Sequence, residues 1–81
     1  MRVTVRLFAS HREAAGVSIV SIELPAGARA VDAFAACRQA RPGLPAPVAG
    51  VAFAVNREFA APDALLADGD EVAVLPPVAG G

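Results

Sequence analysis

Only one stretch of this chain, Ala30 to Arg41, is long enough and rich enough in helix-forming residues to make a substantial helix. The other patterned segments alternate with a period of two, which is the signature of half-buried strands. From Arg2 to Phe8, Val3, Val5 and Leu7 fall on one face and Thr4, Arg6 and Phe8 on the other. From Ser18 to Leu24, Val20, Ile22 and Leu24 point inward, and Pro25-Ala26-Gly27 turns the chain. Glu71 to Leu75 alternates again after the Asp68-Gly69-Asp70 turn. A single helix covers only one side of a sheet, so the expected fold is α+β: a mixed sheet of four to five strands with one main helix packed on one face. The other face is left open.

The remaining segments fill in that plan. Ser10-His11-Arg12-Glu13 reads as a capping box opening a short helix that Gly16 ends, with His11 on a surface turn. On the main helix the expected core stripe is Val31, Phe34 and Ala35, Asp32 favours the helix start, and Arg38 must snorkel outward. Pro42 to Gly50, with three prolines and two glycines, is a loop; Val51 to Val55 is a buried strand. Asn56-Arg57 turns into a short edge piece around Phe59, and Asp63 to Leu66 reads as one helical turn.

With 81 residues there is room for one domain and one modest core. Hydrophobic residues make up 56% of the chain, yet twenty of them are alanine, so the core rests on the larger remainder. No apolar run approaches the roughly 20 residues that cross a bilayer, and Arg2, Arg6, Arg12 and Glu13 interrupt the start, so no membrane association and a cytoplasmic location are expected. A net charge of −1 with scattered arginines gives no footprint for nucleic acid. The absence of lysine removes P-loop and Schiff-base chemistry. One cysteine, Cys37, and one histidine, His11, supply neither a disulfide nor a metal cluster, and Cys37 is expected to pack as a small hydrophobe on a helix flank.

What remains is the end of the chain. Residues 1–75 form the domain and residues 76–81, Pro76-Pro77-Val78-Ala79-Gly80-Gly81, an extended tail. Each proline fixes its own φ and holds its predecessor extended, so the tail leaves as a stiff arm able to reach on the order of 20 Å. Gly80 and Gly81 put no Cβ beside the last carboxylate, which suits passage through a narrow channel and a carboxylate that is itself the substrate. Leu75 and Phe8 share the outward parity of their strands; with Phe59 they are candidates for an apolar docking patch beside the tail.

Val5-Arg6-Leu7-Phe8-Ala9, Arg12-Glu13-Ala14-Ala15-Gly16, Val55-Asn56, Leu66-Ala67-Asp68-Gly69-Asp70-Glu71-Val72-Ala73 and the Pro-Pro-Val-Ala-Gly-Gly end together resemble the small sulfur-carrier subunits of molybdopterin synthases. The resemblance spans the chain. It implies a ubiquitin-like β-grasp with the first and last strands side by side. It also implies that an E1-like enzyme uses ATP to adenylate Gly81, with no cofactor stably bound. A sulfur donor of cysteine desulfurase or rhodanese type then makes the thiocarboxylate. The tail next enters the large synthase subunit, within a heterotetramer of two small and two large subunits, and converts precursor Z (cyclic pyranopterin monophosphate) to the molybdopterin dithiolene. Carried over, Gly81 is the sulfur carrier and Gly80 the slim entry residue. Phe8, Phe59, Leu75, Pro76, Pro77, Val78 and Ala79 are partner contacts, and the chain is a sulfur-donating subunit, not an enzyme by itself. Ala28-Arg29 departs from the family pattern, where Thr or Ser often caps the main helix. A thiamine-pathway sulfur carrier, a ubiquitin-like modifier and a plain protein-binding module remain as alternatives.

Overall fold

The structure, a computed structural model, describes residues 1–77. Five strands and two helices follow in the order β1 (Arg2–Leu7), α1 (Ala9–Ala15), β2 (Ile19–Glu23), α2 (Ala30–Ala40), β3 (Ala52–Val55), β4 (Glu58–Ala60) and β5 (Glu71–Leu75). They build one sheet of order β2-β1-β5-β3-β4. The first and last strands pair in parallel at its centre, Val5 opposite Val72 and Leu7 opposite Val74, and the other pairings are antiparallel. This is the β-grasp arrangement the resemblance implies.

The alternation in β1, β2 and β5 places side chains as expected. Val3, Val5, Leu7, Val20, Ile22, Leu24, Val72 and Val74 are all buried beneath α2. Each such side chain contributes about 1.5–3 kcal/mol on leaving water, so these three strands supply a large share of the fold's hydrophobic stabilisation. Phe34 fills the middle of this layer, fully buried, edge-on to Phe53 at 6.4 Å between ring centroids.

The helix meets the sheet on a different stripe from the one expected. Ala30, Ala33, Phe34 and Cys37 are buried, whereas Val31 is 39% exposed and Ala35 also faces solvent. Positions i, i+3, i+4 and i+7 define that stripe, and two of its members are alanines whose small side chains let the helix backbone lie close to the sheet. Hydrophobicity pointed to Val31; close approach selected alanine. Arg38 flanks the stripe and is half-buried.

The start of α2 explains why Arg29 is tolerated where Ser or Thr is usual. Asp32 Oδ2 accepts from the Arg29 amide at 2.8 Å, while the amides of Ala30 and Val31 donate to the carbonyls of Ala64 and Pro62 at 2.9 Å each. The 61–66 segment therefore caps the helix with backbone, meeting the need that a side chain meets elsewhere. That segment is not a helical turn: Arg29 and Leu65 form an isolated antiparallel bridge, and a single bond from the Ala64 amide to the Ala61 carbonyl closes a turn at Pro62-Asp63.

The short helix also departs from expectation. It begins at Ala9 with Phe8 as N-cap and no side-chain cap, so Ser10 and Glu13 form no capping box; Gly16 ends it in the left-handed region at φ 79°. His11 is buried, 4% exposed, with its ring 5.3 Å from Phe34. His11 and Ala15 are the two buried residues of α1 and lie four apart on one face, so the imidazole serves as α1's contribution to the core.

Candidate docking site beside the C-terminal tail

The face of the sheet opposite α2 carries a short row running across four strands. Arg6 lies opposite Ala73, Ala73 opposite Ala54, and Ala54 opposite Phe59. Because Ala54 and Ala73 end at Cβ, the middle of the row is low, and the larger side chains at its borders stand above it. The result is a groove of about 340 Å³ floored by the two alanines and walled by Phe8, Phe59, Leu75, Arg6, Arg57 and Glu71.

Phe8 and Leu75, selected from parity at strand ends, and Phe59, selected from the edge piece, thus line one groove. Phe59 is 82% exposed, and Phe8 and Leu75 are half-buried, so the site is open and its two other large apolar groups are partly covered. An aromatic ring standing this far into solvent on an edge strand is a liability unless a partner covers it. Sequence reasoning missed the alanine floor and the polar wall. The period-two signal that placed Leu75 outward also places Ala73 there, but alanine in a strand carries little indication of being a surface others require.

The polar wall is organised around Arg6. Its guanidinium donates to Glu71 Oε1 at 3.4 Å and sits 5.8 Å over the Phe8 ring. Both members of the pair are partly open to water, so it contributes at most about 1 kcal/mol to stability. Its larger effect is to hold the Phe8 ring on one side of the groove. Charged groups at the rim of an apolar floor supply register and selectivity for a docking partner.

The position of the groove is fixed by the Val55-Asn56 and Asp68-Gly69-Asp70-Glu71 segments. Asn56 Nδ2 donates to Asp70 Oδ1 at 2.9 Å, and Asn56 Oδ1 accepts from the Glu71 amide at 3.0 Å. Asp70 Oδ2 accepts from the Ala67 amide at 2.8 Å, and Asp68 Oδ1 from the Arg2 amide at 2.7 Å. These bonds lock the entry to β5 against the β3–β4 hairpin and β1, and so set the direction in which β5 delivers the tail.

The tail leaves from the end of β5. Pro76 is half-buried and Pro77 exposed, and Pro77 lies against Gly50: a Cβ built on Gly50 would come within 3.0 Å of the Pro77 Cβ. Gly50, at φ 91°, closes the loop before β3, and its bare backbone gives the tail's root room to pass. Val78, Ala79, Gly80 and Gly81 lie outside the described residues. Among the described residues no cluster of three or more His, Cys, Asp or Glu side chains is placed to hold a metal ion, and no helix is long and apolar enough to cross a membrane.

A family model described as the ThiS family matches residues 5–81. The molybdopterin synthase sulfur carrier subunit of Chlamydomonas reinhardtii is 41% identical over 83 residues, covering 100% of each chain. The corresponding Arabidopsis thaliana subunit is 30% identical, over 100% of this chain and 84% of its own. Among solved structures, SAMP1 from Haloferax volcanii superposes with a TM-score of 0.88 at 31% identity, over 100% of both chains. The complex of subunits 1 and 2 of the molybdopterin-converting factor of Helicobacter pylori contains a chain matching at a TM-score of 0.63 and 30% identity, again over 100% of both. Fold, family model and relatives agree: this chain belongs to the ThiS family.

Proposed function

We propose that this chain is the sulfur-carrier subunit of a molybdopterin synthase and acts through the carboxylate of Gly81. The single observation that carries the reading is the open apolar groove of Phe8, Phe59 and Leu75 at the root of a proline-stiffened tail. That arrangement lets a partner grip the domain while the tail runs on into the partner's active site. The Helicobacter pylori neighbour, whose structure is a complex of the two converting-factor subunits, supports the same partner class: a large synthase subunit.

The chemistry follows from the terminal group. A chain-terminal carboxyl has a pKa of about 3.3–3.7, so at neutral pH it is an anion that resists nucleophiles. An E1-like enzyme must first activate it, the carboxylate attacking ATP to give the acyl adenylate and pyrophosphate. The outer sulfur of a persulfide on a cysteine desulfurase or rhodanese-type donor then attacks the acyl carbon and AMP leaves. A thiol cleaves the resulting acyl disulfide, which frees the thiocarboxylate and leaves a disulfide behind. The ionised sulfur of the thiocarboxylate is a soft nucleophile, and docking through the groove holds it beside the precursor, which supplies the proximity contribution to catalysis. The chain itself provides no acid, base or metal for this; it is a protein-bound co-substrate working in the cytoplasm.

Intact mass spectrometry tests this directly. Incubation with ATP, the activating enzyme and a sulfur source is expected to replace one oxygen by sulfur at Gly81. Deleting Gly81 is expected to abolish transfer and to leave folding unchanged, because the core lies upstream of Pro76. An unaltered mass in the complete mixture would reject the reading.

A second reading has a specific support: the likeness to SAMP1, a protein whose Methanosarcina acetivorans namesake is called a small archaeal modifier protein. A modifier would leave lasting conjugates through Gly81 on the amines of other proteins, and the same mass experiment in a cell extract separates the two.

A further inference from the structure

We infer that the folded domain is a one-way carrier, built to give up its own activated acyl group while presenting no nucleophile of its own that would capture it. The inference rests on the carrier reading for its purpose, but the property itself belongs to the domain. An acyl adenylate is attacked by any accessible amine, thiol or activated hydroxyl: a new amide, thioester or ester bond forms, AMP leaves, and the nucleophile loses a proton. Each class of attacker is missing, engaged within the fold, buried or left without activation.

Amines are the first class. The sequence holds seven Lys and Arg residues together, and all seven are arginine. Guanidinium groups stay protonated and are not nucleophiles. The Met1 amine donates to the Leu24 carbonyl at 2.7 Å at the edge where β1 pairs with β2, so it is engaged within the fold. The thiol is the second class. Cys37 is fully buried on the sheet-facing side of α2, and burial raises its pKa, with Arg41 offsetting this only in part. The reactive thiolate is therefore both scarce and out of reach. Hydroxyls are the third class. Ser and Thr attack only with a base beside them, and the sole imidazole, His11, is 4% exposed against Phe34. Its Nδ1 has no hydrogen-bond partner among the described residues, an unfavourable arrangement for a histidine, and the imidazole lies in the core and not at the surface.

Two sets of measurements test the inference. On the intact wild-type chain, an aromatic disulfide probe should modify Cys37 roughly a hundredfold more slowly than in denaturant, because reaction must await opening of the core. Val31→Cys, on the exposed face of the same helix, should react at the rate of a free thiol. Acetylation by an N-hydroxysuccinimide ester should likewise be much slower at Met1 than at the new amine of Arg12→Lys. The second set uses ATP and the activating enzyme with no sulfur source. Wild type should yield adenylate and its hydrolysis product only, whereas Arg12→Lys should accumulate self-linked chains. Rapid native labelling of Cys37 or Met1, self-linked wild-type chains, or an Arg12→Lys chain that stays unlinked although adenylated would each overturn the inference. Failure of wild type to form any adenylate would instead reject the carrier reading, with the labelling rates still deciding whether the surface is inert.

Discussion

At the scale of single residues, Cys37 links packing to pH. Burial raises the thiol's pKa and the Arg41 cation draws it partly back, so the folded chain holds the proton more tightly than the unfolded one. The unfolded thiol ionises near the ordinary value of about 8.5. Above that pH the unfolded state binds fewer protons than the native state, so unfolding becomes easier as pH rises, until the raised native value is passed. The slope from this one group reaches at most about 1.4 kcal/mol per pH unit. Urea unfolding of Cys37→Ala should show a loss of about 1 kcal/mol at neutral pH from the space left behind. It should also show a flatter decline toward alkaline pH than wild type; an equal decline would assign the effect to another group. The same neighbourhood shows what a sequence conceals at this scale. That Cys37 packs as a small hydrophobe was legible from its type, though it sits on the core stripe and not on the helix flank expected for it. His11 was not legible, because polarity suggests solvent and only its four-residue spacing from Ala15 betrays a shared inner face.

At the scale of elements, the β3–β4 hairpin and the start of β5 form one unit joined by Asn56. Its side chain makes two hydrogen bonds, to Asp70 and to the Glu71 amide, and its backbone sits at φ 51°, a region asparagine tolerates better than most residues. Asn56→Ala loses both bonds and gains strain, and thermal or urea unfolding should register about 1–3 kcal/mol of destabilisation. The next residue carries the opposite opportunity. Arg57 sits at φ 70° in the position where tight hairpins prefer glycine, so Arg57→Gly should stabilise the chain by about 0.5–1 kcal/mol in the same assay. A loss of stability would mean that the Arg57 side chain does more in the hairpin than its backbone strain costs. The strands, turns and sheet class were readable because alternation and turn chemistry are local. The stripe of α2 and the cap formed by residues 61–66 were not, because both depend on how closely a helix approaches a sheet and on which distant carbonyls come to meet it. For the groove, parity selected Phe8 and Leu75 and edge position selected Phe59, and the register that puts Ala54 and Ala73 between them was set only by the folded order of strands.

At the scale of the whole molecule, the two faces of one sheet have divided the work. The face under α2 is filled by valines, Phe34 and Phe53 and holds the fold together; the other is floored by alanines and leaves its largest groups standing at the rim. This separation predicts that stability and assembly respond to different substitutions. Phe59 is 82% exposed, so Phe59→Glu removes little buried area and should change folding stability by no more than about 0.5 kcal/mol. If the groove is the docking surface for the large synthase subunit, the same change sets a carboxylate where an aromatic anchor is desolvated on binding. The loss of a central anchor is about 2 kcal/mol or more, a roughly thirtyfold weaker complex. Leu75→Glu should weaken assembly as well, with some added cost to folding because that side chain is half-buried. Titration calorimetry against the large subunit, read beside urea unfolding of each variant, separates the two quantities. Full affinity in Phe59→Glu would place the interface elsewhere on the domain, whereas weakened binding with an unchanged unfolding midpoint would establish that the open face is kept apolar for a partner and not for the fold.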